Sequence, residues 1–547
     1  MRRLLPLVLL ALLAITLLPG LAAVDAIDWR EARDAAVTRD TAKGSEWVSP
    51  LYANEPWFEK PLLGYLHEML ATRVLRRLVP GAPSDLTDVA VSRAVRALMA
   101  AALALLTASI GARCFGMRGG WLGGCALASM LGLPLATRSD GGQLAATLLA
   151  WLGIGALLDV VRGRARLPDL TRVFAYLALG LALVVGGPLP AIWPLFGFAL
   201  YFALARGHQG WRDLRPLGGL AIIIGVGLPW YGIMAALFGG EFLARVPWFP
   251  YAAETRGAWF TGPLLALSFA VVLSFPWASL LGASLRDAAM RLRRARVLGA
   301  PDVTDPDHTA HLLLALMFAG AIPVALYPGP PLTAALPALP AMALLCGRFL
   351  DRVLEGDVHP SHLTAATRLA ALMGTVAALL GLTLAAQLPE AAPGLRLLSA
   401  SLFLASWTPL LADLRGARRL AAALYMLPML VSAPILFTRV MPQLEPWLNT
   451  REVVQALDHT APVNAVVLMP EEPPPSFRLL AHRNLVITSD LGAMAPALVA
   501  RDGRVYVAFR PAREREVVQA LAEPVEILLR SPTLVLARVL LPARAHP

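Results

Sequence analysis

Two charged residues next to a proline are the strongest chemical signal in this sequence. Glu59, Lys60 and Pro61 stand side by side, just before an apolar run resumes. The chain has only two lysines, Lys43 and Lys60, and both lie in this one segment. An ammonium at a membrane face is suited to hold a phosphate as a point charge. The segment therefore predicts chemistry on a charged, lipid-borne substrate, with a solvated interfacial lysine as the alternative. As loop residues, Glu59 and Lys60 should be replaceable without loss of folding.

Further charged side chains precede this triplet. The acids are Asp25, Asp28, Glu31, Asp34 and Asp40, and the stretch EARDAAVTRDTAKG predicts a helix that lies on the membrane surface. The plain interpretation of most of these acids is that they solvate that helix.

Two other segments place cations near a membrane face. Arg138 and Asp140 form a corner between apolar runs, and Arg245 and Arg256 lie in an aromatic-rich loop, residues 239–261. Aromatic residues at that depth commonly anchor a chain at the interface. A guanidinium there is also able to bind two phosphate oxygens at once.

The composition sets the class of protein. Of 547 residues, 57% are hydrophobic, and the mean hydropathy is +0.61. Apolar runs of spanning length predict an α-helical polytopic membrane protein with about 13 transmembrane helices. These runs are 4–23, 98–107, 121–136, 144–161, 173–185, 191–204, 217–238, 264–285, 312–327, 334–350, 365–386, 397–411 and 420–437. The net charge of +11 comes from arginines scattered between the runs, which argues against nucleic-acid binding.

The arginines also predict the orientation. Arg2 and Arg3 precede the first run, and later arginine clusters recur on the same side of the predicted spans. The positive-inside rule then places the N-terminus in the cytoplasm and the segment 24–89 and the C-terminus outside. A cleavable signal peptide at residues 1–23 is the alternative for the first run, and it leaves the later topology unchanged.

The last part of the chain has a different pattern. Apolar runs of strand length occur at 465–469, 485–489, 505–509, 525–529 and 534–540, with helical patterns at 450–457, 477–482, 494–500 and 512–521. The heptapeptide REVVQAL occurs twice, at 451–457 and 515–521. We expect a transmembrane domain over residues 1–437 and a small periplasmic α/β domain over 438–547.

The first loop, residues 24–89, resembles that of a known enzyme family. It is similar to the first periplasmic loop of GT-C fold glycosyltransferases that use polyprenyl-phosphate sugars. These include the lipid A aminoarabinose transferases and, more distantly, protein O-mannosyltransferases. In that family the loop reads roughly D-E-x-R-Y-A-x-x-x-R, then G-x-W-x-x-P and an E-K-P-P-L-like box. The matching residues are 30–33, 46–50 and 58–62.

The chain departs from the family pattern at several positions. The leading acid of D-E-x-R falls on Arg30, the lysine before Gly-Pro falls on Gly186, and the K-x-x-x-Y motif falls on Pro330 and Ala334. These departures remove contacts to phosphate and sugar that the resemblance implies.

The resemblance implies a glycosyltransferase of the inverting GT-C type in a bacterial inner membrane. Its donor is a polyprenyl-phosphate-linked sugar, its acceptor is lipid A, another glycolipid, a glycan or a protein, and a divalent metal is left open as a cofactor. The implied site residues are the catalytic carboxylates Asp28, Glu31 and Glu59, the phosphate-binding Lys60, Arg138, Arg245 and Arg256, and the further substrate contacts Arg33 and Asp140. The alternatives are a non-catalytic relative that binds lipid-linked sugars, and a lipid or sugar transporter. A transporter should show charge inside its spans, where the sequence shows almost none.

Overall fold

The structure of the protein is a computed structural model. It describes residues 4–28, 30–43, 48–78, 84–139, 141–206, 209–246, 268–298, 306–320, 335–481, 483–492, 495, 505–521 and 524–539. Six positions singled out in the sequence lie outside these residues, as does most of the predicted helix 494–500; they are Arg2, Arg3, Asp140, Arg256, Pro330 and Ala334.

Helices dominate the described chain up to residue 448. They are α1 (Leu5–Leu17), α2 (Arg30–Lys43), α3 (Leu63–Leu78), α4 (Ser84–Phe115), α5 (Met117–Ala128), α6 (Gly132–Ala136), α7 (Gly141–Val161), α8 (Pro168–Gly186), α9 (Leu189–Tyr201), α10 (Gln209–Leu214), α11 (Pro216–Gly227), α12 (Pro229–Arg245), α13 (Ala278–Leu298), α14 (Pro306–Ala319), α15 (Leu339–Glu355), α16 (Pro360–Gln387), α17 (Ala392–Leu414), α18 (Arg418–Leu424), α19 (Leu427–Ile435), α20 (Met441–Gln443) and α21 (Glu445–Leu448). Several of them begin at a proline, whose missing N–H costs nothing in the first turn.

Within the described residues, six helical segments are long and apolar enough to cross a membrane. They are Val89–Phe115, Gly141–Val161, Pro168–Gly186, Pro360–Gln387, Pro389–Leu414 and Arg418–Gln443, and the pair Trp211–Gly227 and Pro229–Arg245, bent by 46°, brings the total to seven. The predicted span 217–238 is therefore broken, because Pro229 cannot continue the helical hydrogen bonding. The predicted span 121–136 likewise consists of two short helices, α5 and α6.

Glycines allow the central helices to pack closely. A Cβ on Gly120 of α5 would lie 2.0 Å from the backbone nitrogen of Ala112 in α4, and one on Gly347 of α15 would lie 2.3 Å from that of Gly123. In lipid the hydrophobic effect does not drive helices together, so they associate by close packing, which small residues allow. Helices α4, α5 and α15 thus form the centre of the apolar core. The helix α1 joins them through buried Leu9, Leu12, Leu13 and Leu17.

The C-terminal segment folds around a five-stranded sheet. Its strands are β3 (Val466–Met469), β4 (Asn484–Ile487), β5 (Val505–Phe509), β6 (Val525–Arg530) and β7 (Val535–Val539), after a short hairpin in the first loop, β1 (Leu51–Tyr52) and β2 (Glu55–Pro56). The order in the sheet is β4-β3-β5-β7-β6, in which β3 runs parallel to β4 and β5, and β7 runs antiparallel to β5 and β6. The five predicted strands are confirmed, with small shifts at their ends.

The two copies of REVVQAL cover opposite faces of this sheet. The helices here are α22 (Arg451–Thr460), α23 (Pro475–Leu480) and α24 (Glu514–Leu521). Val453 and Leu457 of α22 pack on the face that carries Val467, whereas Val517 and Leu521 of α24 pack on the face of Leu468 and its neighbours. Successive strand residues point to opposite sides of the sheet, so each face presents apolar side chains. The same amphipathic sequence can therefore pack on either face.

Candidate functional site

A buried ion pair lies at the centre of the first loop. The Nζ atom of Lys60 is 2.8 Å from Oδ2 of Asp34, and the two side chains are only 3% and 6% exposed. The ammonium also lies 5.8 Å from the centroid of the Tyr65 ring. The expectation that Lys60 is a freely replaceable loop residue is therefore wrong, since removal of the ammonium leaves a buried carboxylate without this partner.

The hairpin before Lys60 fixes its position against α2. Ala53 and Asn54 join β1 to β2 with positive φ angles of 58° and 66°, as a tight hairpin turn requires. The backbone N–H of Ala53 donates to Oδ2 of Asp40, 3.0 Å away, and that of Leu51 donates to Oγ1 of Thr41 at 2.8 Å. Both acceptors belong to the last turns of α2, so the chain reaches Lys60 from a fixed point on that helix.

Glu59 forms a second, more accessible cluster. Its carboxylate lies 3.1 Å from Nη2 of Arg30 and 3.4 Å from Nη1 of Arg33. The Glu59 side chain is 19% exposed and that of Arg33 is 35% exposed. The Arg33 guanidinium also lies 5.5 Å from the centroid of the Trp57 ring. The structure thus brings together two of the predicted site residues, Glu59 and Arg33, and adds Arg30.

Two arginines of α4, missed in the sequence analysis, hold the acids of the first loop. Arg93 donates from Nε and Nη2 to Glu31 at 2.8 and 2.7 Å. Arg96 donates to Glu31 at 3.0 Å and to both oxygens of Glu68 at 2.6 and 3.0 Å. All four side chains are buried. The interpretation that the acids of α2 solvate an interfacial helix is wrong for Glu31 and Asp34, because both are buried and ion-paired.

These arginines also contradict the expectation that the spans contain almost no charge. Arg93 and Arg96 lie within Val89–Phe115, a segment apolar and long enough to cross a membrane. Their spacing of three residues on one helix was the available signal, because charges in such a segment require partners. The partners, Glu31 on α2 and Glu68 on α3, lie 62 and 28 positions away in the sequence, so composition gave no hint of them.

The start of α7 completes this buried cluster. A Cβ on Gly141 would lie 2.2 Å from Oε1 of Glu68 and 3.0 Å from Nε of Arg96, so a larger residue has no room there. Helix N-termini favour a carboxylate. Burial alone raises the pKa of Glu68. The charge and hydrogen bonds of Arg96 outweigh burial, with a contribution from the His67 ring, whose Nε2 lies 3.7 Å from Oε1 of Glu68, and they hold this pKa well below its ordinary range.

Two predicted site residues contact other parts of the molecule. Asp28 bonds to Ser476 of the C-terminal segment at 2.7 and 2.8 Å. Arg138 is buried and donates to the carbonyls of Pro134, at 2.9 Å, and Leu17, at 3.2 Å. Its guanidinium lies 3.6 Å from the centroid of the Phe437 ring. These contacts give Asp28 and Arg138 partners within the fold.

Both ends of α12 contact the same loop. Phe58 packs edge-on against Phe242 with ring centroids 5.4 Å apart, and Nε1 of Trp230 donates to the Val48 carbonyl at 3.0 Å. Arg245, at the end of this helix, is exposed and lies 3.1 Å from Glu241.

The position of the missing family lysine has no space for a side chain. A Cβ on Gly186 would lie 2.5 Å from Cβ of Ala146 and 3.2 Å from Cγ of Pro190. Helices α7 and α8 therefore meet where the resembled family carries a cation.

The described residues do not fit a divalent metal. Among them, no group of three or more His, Cys, Asp or Glu side chains is placed to hold a metal ion. The acids Glu31, Asp34 and Glu68 are each paired with a lysine or an arginine.

The arrangement of the helices defines a class of protein, the GT-C fold. The chain matches the crystal structure of ArnT from Cupriavidus metallidurans in the apo state with a TM-score of 0.71 and 15% identity, over 98% of this chain and 97% of that chain. The match to the same protein bound to undecaprenyl phosphate has a TM-score of 0.72 and 16% identity. The GT-C resemblance seen in the first loop is confirmed at the level of the fold.

Particular relatives are found by sequence. The chain is 28% identical over 284 residues to the undecaprenyl phosphate-alpha-4-amino-4-deoxy-L-arabinose arabinosyl transferase of Pseudomonas aeruginosa strain LESB58. It is also 28% identical over 274 residues to the enzyme of the same name from Pseudomonas paraeruginosa. These alignments span about half the length of the curated relatives, 48% and 46%. No protein-family model matches the chain.

Proposed function

We propose that this chain is a membrane glycosyltransferase that moves a sugar from a polyprenyl-phosphate carrier to an acceptor of the cell envelope. The observation that carries the proposal is the paired arrangement of Lys60 with Asp34 and of Glu59 with Arg30 and Arg33. It combines cations for a phosphate with a partly exposed carboxylate in one loop. The whole-chain likeness to a GT-C fold and the arabinosyl transferase relatives support it.

The chemistry assigns a role to each group. In the transfer, the bond between the sugar's anomeric carbon and the carrier phosphate breaks while a bond from an acceptor oxygen to that carbon forms. The departing phosphate gains one negative charge, and cations placed where charge develops stabilise the transition state. Lys60 and Arg33 serve this purpose. Arg245, at the end of α12, and Arg256, further along the sequence, are additional cations.

The acceptor loses a proton, which needs a base within hydrogen-bond reach. Glu59 suits this role because its carboxylate is partly exposed, whereas Glu31 is buried and held by Arg93 and Arg96. We propose Glu59 as the carboxylate that faces the acceptor and Glu31 as the anchor that holds α2.

The proposed position in the cell rests on the arginine clusters, which recur on one side of the predicted spans. We propose that the protein lies in the bacterial inner membrane with about 13 spans, the N-terminus in the cytoplasm and the first loop outside. The transmembrane domain covers residues 1–437 and the periplasmic domain residues 438–547.

The relatives suggest the first substrates to test. Their names specify undecaprenyl phosphate-alpha-4-amino-4-deoxy-L-arabinose, and one similar structure holds undecaprenyl phosphate. We propose this class of donor, with lipid A as the first acceptor and other glycolipids, glycans and proteins beside it.

The test is release of undecaprenyl phosphate by the purified full-length protein in lipid-supplemented detergent. The parent should release it from the aminoarabinose donor only when an acceptor is present. Glu59→Gln should reduce the rate by about 100-fold with unchanged melting. Lys43→Met changes the other, exposed lysine and should match the parent. Absence of turnover with every polyprenyl-phosphate sugar, or full activity of Glu59→Gln, contradicts the proposal.

A non-catalytic relative that binds polyprenyl phosphate is the second candidate. The observation that favours it is the tight packing of Gly186 against Ala146, which excludes a cation from that position. Saturable binding of undecaprenyl phosphate without turnover of any sugar donor would support this candidate over the enzyme.

A further inference from the structure

The first loop and the C-terminal segment are joined by contacts that we call the clasp, formed by Asp28, Arg39, Ser476 and Leu479. Asp28 accepts hydrogen bonds from the backbone N–H of Ser476 at 2.7 Å and from its hydroxyl at 2.8 Å. Arg39, at the other end of α2, donates from Nη1 to the carbonyl of Leu479 at 2.6 Å. The helix α2 is therefore held by the C-terminal segment at both ends.

Apolar packing lies between these two hydrogen-bonded ends. The side chain of Leu479 packs against Ala32 and Val89, and also against the cluster that contains Ala36, Val37 and Tyr65. The guanidinium of Arg478 lies 5.2 Å from the centroid of the Tyr52 ring. The helix α2 thus lies between α23 and the helices α3 and α4, and the side chains of Arg33 and Asp34 belong to this enclosed helix.

The local chemistry explains why Asp28 takes this place. The first N–H groups of a helix have no partner within the helix, and Pro474, the residue before α23, offers no side-chain acceptor. Asp28 supplies the acceptor from the other end of the sequence. The Ser476 hydroxyl also accepts from the N–H of Thr450 at 3.0 Å, which links Asp28 to the start of α22.

We propose that Asp28 and Ser476 are positioning residues, through which the C-terminal segment holds α2 so that Arg33 and Asp34 meet Glu59 and Lys60. The proposal rests on the transferase function proposed above. It distinguishes Asp28 from a catalytic carboxylate, because a positioning residue acts through its two hydrogen bonds. An asparagine can accept from the Ser476 N–H with its Oδ1 and donate from Nδ2 to the Ser476 hydroxyl oxygen, which can turn its own proton toward Oγ1 of Thr450. Burial raises the pKa of Asp28 against the opposing effect of the Ser476 hydrogen bonds, which agrees with a role that does not require a charge.

The first measurement needs no activity. Hydrogen exchange of the full-length protein should show faster exchange in residues 30–43 for Asp28→Ala and Ser476→Ala, and near-parental exchange for Asp28→Asn. Val517→Ala is the matched control, since it removes buried volume on the opposite face of the sheet, away from the clasp. Unchanged exchange of α2 in both alanine variants overturns the proposal, whether or not the protein is a transferase.

The second measurement is kinetic. Asp28→Ala and Ser476→Ala should lower kcat by about 10-fold or more, because small misplacements of catalytic groups are costly. Asp28→Asn should retain at least about half of the parental kcat, while a catalytic carboxylate would lose about 100-fold on the same change. Loss of activity in Asp28→Asn with normal exchange of α2 assigns Asp28 to catalysis and overturns the proposal. A parent without turnover contradicts the proposed function and leaves the exchange result to decide on the clasp.

Discussion

The ammonium of Lys60 lies 2.8 Å from the carboxylate of Asp34, and neither side chain is exposed to more than 6%. The lysine belongs to the short loop before α3, and the aspartate lies on α2. The pair therefore joins the box that resembles the transferase family to the helix enclosed by the C-terminal segment. Any substrate phosphate that reaches Lys60 must compete with Asp34 for the ammonium.

The first prediction concerns the stability of this pair. Lys60→Met and Asp34→Asn should each lower the melting temperature, because breaking a buried ion pair costs about 3–5 kcal/mol. The double variant should be more stable than the two single effects predict when added. Thermal melting in detergent measures this coupling, and Lys43→Met should melt like the parent. Additive losses would show that the two side chains do not interact in the folded protein.

The second prediction concerns Gly186. Gly186→Ala should destabilise the protein by about 1–3 kcal/mol, as overpacking commonly does, because its Cβ would lie 2.5 Å from that of Ala146. Gly186→Lys, which restores the family residue, should express poorly and fail to raise activity. Pairing it with Ala146→Gly should recover part of the folding. A stable, more active Gly186→Lys would mean that α7 and α8 separate readily.

The third prediction concerns acid sensitivity. The pKa of Glu68 is held below its unfolded value of 4.5 by Arg96 and His67, against burial. A lowered folded-state pKa gives stability that is full above the unfolded value and is lost as the pH falls toward the folded value. The melting temperature should thus decline below about pH 4.5. Glu68→Gln should be less stable at neutral pH and lose less on acidification. An equal decline of the melting temperature in the parent and in Glu68→Gln would show that Glu68 is not a source of the acid sensitivity.

The fourth prediction concerns orientation. A reporter active only in the periplasm should be active when fused after Pro547 and silent when fused at Arg293, because the arginine cluster at 286–296 predicts a cytoplasmic position for that segment. The reporter activities of the two fusions should be compared at equal expression. The reverse pattern would move the first loop to the cytoplasm and contradict the proposed site.

The fifth prediction compares two arginines. Arg33→Ala should weaken binding of undecaprenyl phosphate and lower turnover by about 100-fold, since Arg33 is partly exposed beside Glu59. Arg138→Ala should act mainly through folding, because this side chain is buried against the carbonyls of Leu17 and Pro134. The measurement is binding, turnover and melting of each variant. Normal melting of Arg138→Ala with lost binding would return Arg138 to the phosphate site.

Local patterns in the sequence determined the elements that depend on neighbouring residues. The strand-length runs became β3 to β7, both REVVQAL heptapeptides became amphipathic helices, and the stretch after Arg30 became α2. These predictions succeeded because burial of one face repeats with the period of the helix or strand. Long apolar runs also formed helices, although turns divided several of them, as at Pro229 and after Ala128.

Only the tertiary structure decided which charges meet. Lys60 and Asp34 are 26 positions apart, Arg93 and Glu31 are 62 apart, and Asp28 and Ser476 are 448 apart. No periodic pattern links residues at such separations. A charge removed from water has a high free energy until an opposite charge or a hydrogen-bonding group reaches it. The fold brings these partners together. Glu31 and Asp34, which the sequence suggested were solvated, are therefore buried and ion-paired.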